Sequence, residues 1–183
     1  DFYEIKDVDN KYAAPATYYF AHLTYSEKNY QTALQHFSKL KKNENFGPIV
    51  PYYIAQIFFL QHKYDSAIAY SVLLLDSASK RSTELTKIIG ESYYRTSRYK
   101  EALPYLAKHK ELAGTLTRSQ WYQTGYTYYK LKNYYDAIIC FPNATGEKDS
   151  LSQNAYYHLG DCFLQQSYEN PSVKILAKNS LKA

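Results

Sequence analysis

The residues that could carry chemistry are few and scattered. Five histidines occur, His22, His36, His62, His109 and His158. Only His158 has a second potential ligand at helical spacing, Cys162 four residues on. Those two donors on one helical face fall short of the three or four that a zinc site needs. Asp161 points elsewhere on the helix, so Cys162 reads as a small core residue. Glu84 and Glu91 stand two helical turns apart, with no evident apolar pocket to set one carboxyl against the other. Neither a Gly-x-Ser-x-Gly elbow nor a cysteine with a plausible histidine orienter is present. The six glycines are isolated, so no loop cradles phosphate. The pattern therefore predicts no catalytic residue, no metal, no cofactor and no enzyme. Asn143-Ala-Thr145 fits a glycosylation acceptor, a match that arises often by chance.

The composition describes the elements that could hold a surface. Of 183 residues, 45% are hydrophobic, enough for a core, and Gly and Pro number only six each. That sparse punctuation favours long helices with short connections over an all-β fold. The outlier is 23 Tyr against one Trp and no Met. Tyr packs through its ring while its hydroxyl reaches water, which suits a thin architecture where core residues lie near solvent. Net charge is +5, and the densest basic stretch, Lys39, Lys41 and Lys42, reads as charge at a helix C-terminus. Two cysteines, Cys140 and Cys162, make no disulfide framework. Apolar runs such as Val72–Leu75 are too short to span a membrane, and the opening residues do not form a signal peptide.

Internal repetition settles the architecture. Tyr30-Gln-Thr-Ala33-Leu34 recurs as Tyr64-Asp-Ser-Ala67-Ile68, Tyr99-Lys-Glu-Ala102-Leu103 and Tyr134-Tyr-Asp-Ala137-Ile138. The four alanines are spaced by 34, 35 and 35 residues. Upstream of each lies an aromatic-rich segment in which Ala21, Ala55, Gly90, Gly125 and, in a fifth copy, Gly160 recur. Each precedes a large residue (Tyr25, Phe58, Tyr93, Tyr128, Phe163) at helical spacing. A glycine inside a helix costs about 1 kcal/mol relative to Ala, so its recurrence implies close approach of a second helix, with the repeated alanines facing it. Short polar turns such as Thr96-Ser-Arg98 make the paired helices antiparallel neighbours. The expectation is an all-α, right-handed solenoid of about five hairpins. Its units run 14–47, 48–82, 83–117, 118–152 and, as one helix, 153–166.

Before the array, residues 1–13 read as the second helix of a preceding or capping repeat, because Phe2, Ile5, Val8 and Tyr12 form an apolar stripe. That start suggests a piece of a longer array. Residues 167–183 read as an irregular segment in which Val173, Leu176, Ala177 and Leu181 form a last amphipathic helix after the Asn170-Pro171 break. Pro104 reads as an early, tolerable position of its helix, and Pro142 as a break that shortens its own.

These residues resemble the tetratricopeptide repeat family, and particularly Tyr-rich arrays of long bacterial proteins. Trp121, Gly125, Tyr128, Tyr134, Ala137 and Phe141 follow the family pattern in the fourth unit, as do Tyr156, Leu159, Gly160 and Phe163 in the fifth. The second and third units depart from it, with Ser71 and Leu106 where an aromatic is usual. The resemblance implies a concave groove lined by the first helices. Its expected residues are Tyr18, His22 and Tyr25; Tyr52, Gln56 and Phe59; Lys87, Glu91, Tyr94 and Arg95; Tyr122, Tyr126, Tyr129 and Lys130; and Tyr157 and Asp161. It implies a protein or peptide partner in that groove. The family's carboxylate clamp is not expected, because only Lys87 and Arg95 are reminiscent of it. A bacterial cell envelope or periplasm is favoured over the cytoplasm on the same likeness. The competing readings are a spacer within a longer array and a binder of single-stranded RNA. The acidic Glu84, Glu91 and Asp161 argue against the second.

Overall fold

The structure, a computed structural model, describes residues 11–75 and 81–169. The expected helix around Phe2, Ile5 and Val8, and the one around Val173 and Leu181, lie outside the described residues. Among the described residues the chain is helical and has no strands. The α-helices are α1 (Ala13–Ser26), α2 (Tyr30–Lys39), α3 (Val50–Leu60), α4 (Tyr64–Leu75), α5 (Ser82–Arg95), α6 (Tyr99–Ala113), α7 (Arg118–Lys130), α8 (Tyr134–Cys140) and α9 (Ser150–Glu169). A 3-10 turn, Phe141–Ala144, follows α8. Packing divides the chain into two units, one ending at Ser92 and one beginning at Tyr93.

The turns inside the hairpins are built alike. Lys28, His62, Ser97 and Lys132 take left-handed backbone, with φ of 63, 59, 59 and 61°. None is glycine, so each bears a steric cost. What holds them is a pair of backbone bonds that close the preceding helix. In the last of these turns, the Lys132 N–H reaches the Tyr129 carbonyl at 2.9 Å and the Asn133 N–H reaches that of Tyr128 at 3.0 Å. The same pair recurs at Lys28 and Asn29, at His62 and Lys63, and at Ser97 and Arg98. Asn29 and Asn133 then cap α2 and α8 through their side chains. Arg98 makes no such cap for α6. Helix α7 begins with a reciprocal capping box between Thr117 and Gln120.

In the first unit, α1 packs on α2 and α3 on α4. The core gathers Ala21, Ala33, Phe37, Val50, Ile54 and Ile57, all without exposed surface. In the second, α7 packs on α8 and the 3-10 turn, with α9 against both. Ala137, Phe141, Ala144, Ala155 and Cys162 fill that core. Buried threonine hydroxyls are satisfied within their own helices: Thr17 donates to the Ala13 carbonyl at 2.7 Å and Thr127 to that of Gln123 at 2.7 Å. Cys140 and Cys162 are free thiols, and burial pushes their pKa up to about 11 and about 12.

Three local outcomes refine the sequence expectations. A Cβ on Gly125 would stand 3.0 Å from the Cβ of Cys140 and 3.2 Å from the Phe141 ring. The close approach is there, but Cys140 and Phe141 provide it rather than Ala137. Pro104 lies in the second turn of α6 rather than the first, where it removes one i→i−4 bond on an exposed face. Pro142 does end α8 early, and the chain tightens into the 3-10 turn. An arginine closes the following loop. Arg118 bonds both carboxylate oxygens of Asp149, at 2.9 and 3.0 Å, and also the carbonyls of Ala144 and Thr145.

Candidate functional site

The odd-numbered helices carry the residues expected in the groove, and the two units present them differently. In the first unit, Tyr25, Gln56, Phe59 and Lys87 line one hollow of about 200 Å³, together with Leu60, Glu84 and Ile88. Three helices meet there, α1 and α3 contributing from their C-terminal halves and α5 from its first two turns. The floor is apolar, from Phe59, Leu60 and Ile88. Its polar wall is a short relay: the Tyr25 hydroxyl donates to Gln56 Oε1 at 3.1 Å, and Gln56 Nε2 donates to the Tyr52 hydroxyl at 2.7 Å. Gln56 is thus fixed by two partners, which orients the wall before any ligand arrives. Glu84 and Lys87 are exposed.

The remaining first-unit candidates serve packing more than surface. Tyr52 is 9% exposed and lies under the Arg81 guanidinium, 4.4 Å from its ring. Glu91 is likewise 9% exposed. Tyr18 stacks on Phe46 with centroids 4.6 Å apart, and burial with a hydroxyl neighbour, Tyr53, pushes its pKa up to about 12. His22 leans on Tyr53 at 5.4 Å. Tyr53 itself was not among the expected residues, yet it joins Phe37, Tyr18, His22 and Tyr25.

In the second unit the expected tyrosines pile on one another. Tyr126 lies within about 6 Å, centroid to centroid, of Tyr94, Tyr99, Tyr122, Tyr129 and His158. His158 sits among Tyr122, Tyr129 and Phe141, as Tyr53 sits among Tyr18, Tyr25 and Phe37 in the first unit. Burial depresses its pKa, Asp161 opposes that, and Lys130 adds to it. The Tyr129 hydroxyl donates to Asp161 at 2.6 Å, and that bond, with burial, holds the phenol well above its ordinary range. Burial likewise raises Tyr94 and Tyr122. Lys130 hangs over the Tyr99 and Tyr126 rings at 5.9 and 5.8 Å. Arg95 is exposed, and Tyr157, at 68% exposure, is the most open of the expected tyrosines.

Besides Tyr53, the expected groove residues omit Leu60 and Ile88 of the hollow and His158 of the pile, whereas Glu84, one of the expected acidic groove residues, lines the hollow. Leu60 follows Gln56 by four residues, Glu84 precedes Lys87 by three, and Ile88 precedes Glu91 by three. Helical spacing from the named residues reaches all three. Among the described residues no cluster of three or more His, Cys, Asp or Glu could hold a metal. No described helix is long and apolar enough to cross a membrane.

Residues 60–144 match a family model of tetratricopeptide type, described as anaphase-promoting complex, cyclosome, subunit 3. The crystal structure of YrrB, described as a TPR protein with an unusual peptide-binding site, superposes with a TM-score of 0.74. That match covers 98% of this chain and 89% of the other at 21% identity. This is the tetratricopeptide-repeat fold. MamA AMB-1 shares it, with a TM-score of 0.72 and 15% identity over 93% of this chain and 92% of that one. So does MamA 41-end from Desulfovibrio magneticus RS-1, with a TM-score of 0.68 and 15% identity over 92% and 93%. No curated protein sequence matches. The tetratricopeptide fold makes the chain an all-α solenoid of antiparallel hairpins, and the hollow is built from the first helices of three successive hairpins.

Proposed function

We propose that the protein is a scaffold that binds a segment of a partner protein on the face of its first helices. The observation that carries this is the first-unit hollow, where four residues from three repeats, Tyr25, Gln56, Phe59 and Lys87, meet around an open apolar floor. Apolar pockets with a few fixed polar groups are where binding energy concentrates. The structural likeness to YrrB, a TPR protein with a peptide-binding site, supports the same reading. So does the supply of tyrosine, whose ring offers contact area at little entropic cost.

The test is capture of a partner by the immobilised chain, with the same partner then measured against variants. Phe59→Glu and Lys87→Glu should each abolish or weaken binding. Tyr135→Glu should not, because Tyr135 is 70% exposed on α8, a second helix. Melting curves confirm that the variants fold. Loss of binding with Tyr135→Glu alone would move the partner to the second helices and end this reading.

A further inference from the structure

The rim of the first-unit hollow carries an acid and a base that make no ion pair or hydrogen bond with another described residue. Glu84 and Lys87 both line the hollow and both are exposed, one turn apart on α5. At that spacing they could pair with each other, yet neither makes an ion pair or hydrogen bond with a described residue. Arg81, three residues before Glu84, lies over the ring of Tyr52. An acid and a base therefore stand separately at the edge of an apolar floor made by Phe59, Leu60 and Ile88.

We infer that the hollow reads a partner segment of mixed charge: one large apolar side chain flanked by a basic residue on one side and an acidic residue on the other. This rests on the partner-binding reading of the same face and specifies its ligand. Size supports a side chain over a cofactor, since ligand pockets are usually about 300–1,000 Å³ and this hollow is about 200 Å³. The fixed amide of Gln56 gives the wall a polar contact for the backbone of the segment. The base meets Glu84 and the acid meets Lys87. Rim charges of this kind set register and choice of partner more than strength. A segment of single sign would gain at one of the two and be repelled at the other.

The probes are capped seven-residue peptides with a central Leu and a charged residue two positions to either side, so that all three side chains share one face of an extended chain. The set is Lys–Leu–Glu, Glu–Leu–Lys, Lys–Leu–Lys, Glu–Leu–Glu and Lys–Ala–Glu in those positions. Binding to the whole chain is followed by backbone and side-chain NMR shifts, which register weak complexes. One mixed-charge order should bind roughly five- to tenfold more tightly than the single-sign and Ala peptides, since each exposed pair contributes modestly. The doubly exchanged variant Glu84→Lys with Lys87→Glu should prefer the opposite order. If every Leu peptide shifts Tyr25, Phe59 and Ile88 equally, or the exchange leaves the preference unchanged, the charge inference is overturned while the partner-binding face stands. If no peptide shifts those residues, both fail.

Discussion

The same stage of the same repeat ends in an open hollow in one unit and a filled pile of rings in the other. Tyr25 and Phe59 of the first unit stand where Tyr94, Tyr129 and their neighbours stand in the second. The difference lies in what occupies the middle. In the second unit His158 comes from α9 and wedges among Tyr122, Tyr126 and Tyr129. In the first, Tyr53 takes that place between α1 and α3, but between α3 and α5 the equivalent position is the smaller Ile88, and the hollow opens beside it, bounded by Leu60 and an oriented Gln56. A tyrosine at a groove position is therefore not yet a binding residue. It is available to a partner where its neighbours leave it a free face, and it packs where another ring takes that face. The contrast predicts that mutations in the second unit act on stability and those in the first act on partner affinity.

The largest expected effect tests the tightness of the second unit. Gly125→Leu would drive a side chain into Cys140 and Phe141, whose atoms already lie 3.0–3.2 Å from where a Cβ would sit. Overpacking of this kind typically costs about 1–3 kcal/mol. Hydrogen exchange should show protection lost through α7, α8 and α9 more than through α1–α3. Uniform loss across both units would mean that they unfold as one body. Unchanged protection would mean that the helices part freely at Gly125.

Next is the direct contrast between an aromatic residue of the pile and one of the hollow. Tyr126→Ala removes a ring that touches five others and should cost about 2–3 kcal/mol, at the low end of the range for large core aromatics because the residue is only half-buried. Phe59→Ala should cost about 1 kcal/mol, since its face toward the hollow is already open. Denaturant midpoints measure both. Equal costs would erase the distinction between pile and hollow.

Much of this could be read before the structure, and the failures have physical causes. The alanine spacing gave away the hairpins because close helix contacts admit only small side chains. The turns did not announce themselves: Lys28, His62, Ser97 and Lys132 carry none of the glycine signal expected of left-handed backbone, and it is the paired hydrogen bonds that hold them. On a helix, neighbouring residues point about 100° apart, so Tyr52 is buried under Arg81 while Tyr53 joins the aromatic cluster, a difference that adjacent tyrosines do not show in sequence. In the sequence His158 stands out only as a possible ligand beside Cys162. Its role as a filler depends on tyrosines from a different repeat, which no local pattern reveals.

Acid should also separate the units. Asp149 is held well below the usual carboxylate range by Arg118, aided by the Ser152 N–H. A depressed carboxylate stabilises the fold above its unfolded value of about 3.9 and loses that contribution as pH falls through the folded value. His158 is depressed by burial, so the fold favours its neutral form. Its contribution is complete above the unfolded value of about 6.5 and declines as pH falls through the folded one. Both groups belong to the second unit. Lowering pH from 7 toward 3 should therefore open exchange in α7–α9 before α1–α3. Asp149→Asn should remove the lower step and His158→Phe the upper. Simultaneous opening, with neither variant altering the profile, would break the comparison on this axis.

The smallest effect concerns what the units share. Lys28 and His62 in the first, and Ser97 and Lys132 in the second, hold nearly identical φ values. A side chain in left-handed backbone costs roughly 1–2 kcal/mol, and glycine removes that cost while adding entropy to the unfolded chain. The net gain from glycine at any one of the four should be a few tenths to about 1 kcal/mol. His62 has a side-chain contact to lose, since its Nδ1 lies 2.9 Å from the Tyr64 hydroxyl. That contact is exposed, so its loss should trim the gain rather than reverse it. Four small, similar rises in denaturant midpoint would locate the difference between the units wholly in their faces and not in the frame. A rise confined to the second unit would show that its turns, too, are under greater strain, and the filled pile of rings would then be one part of a stiffer hairpin set.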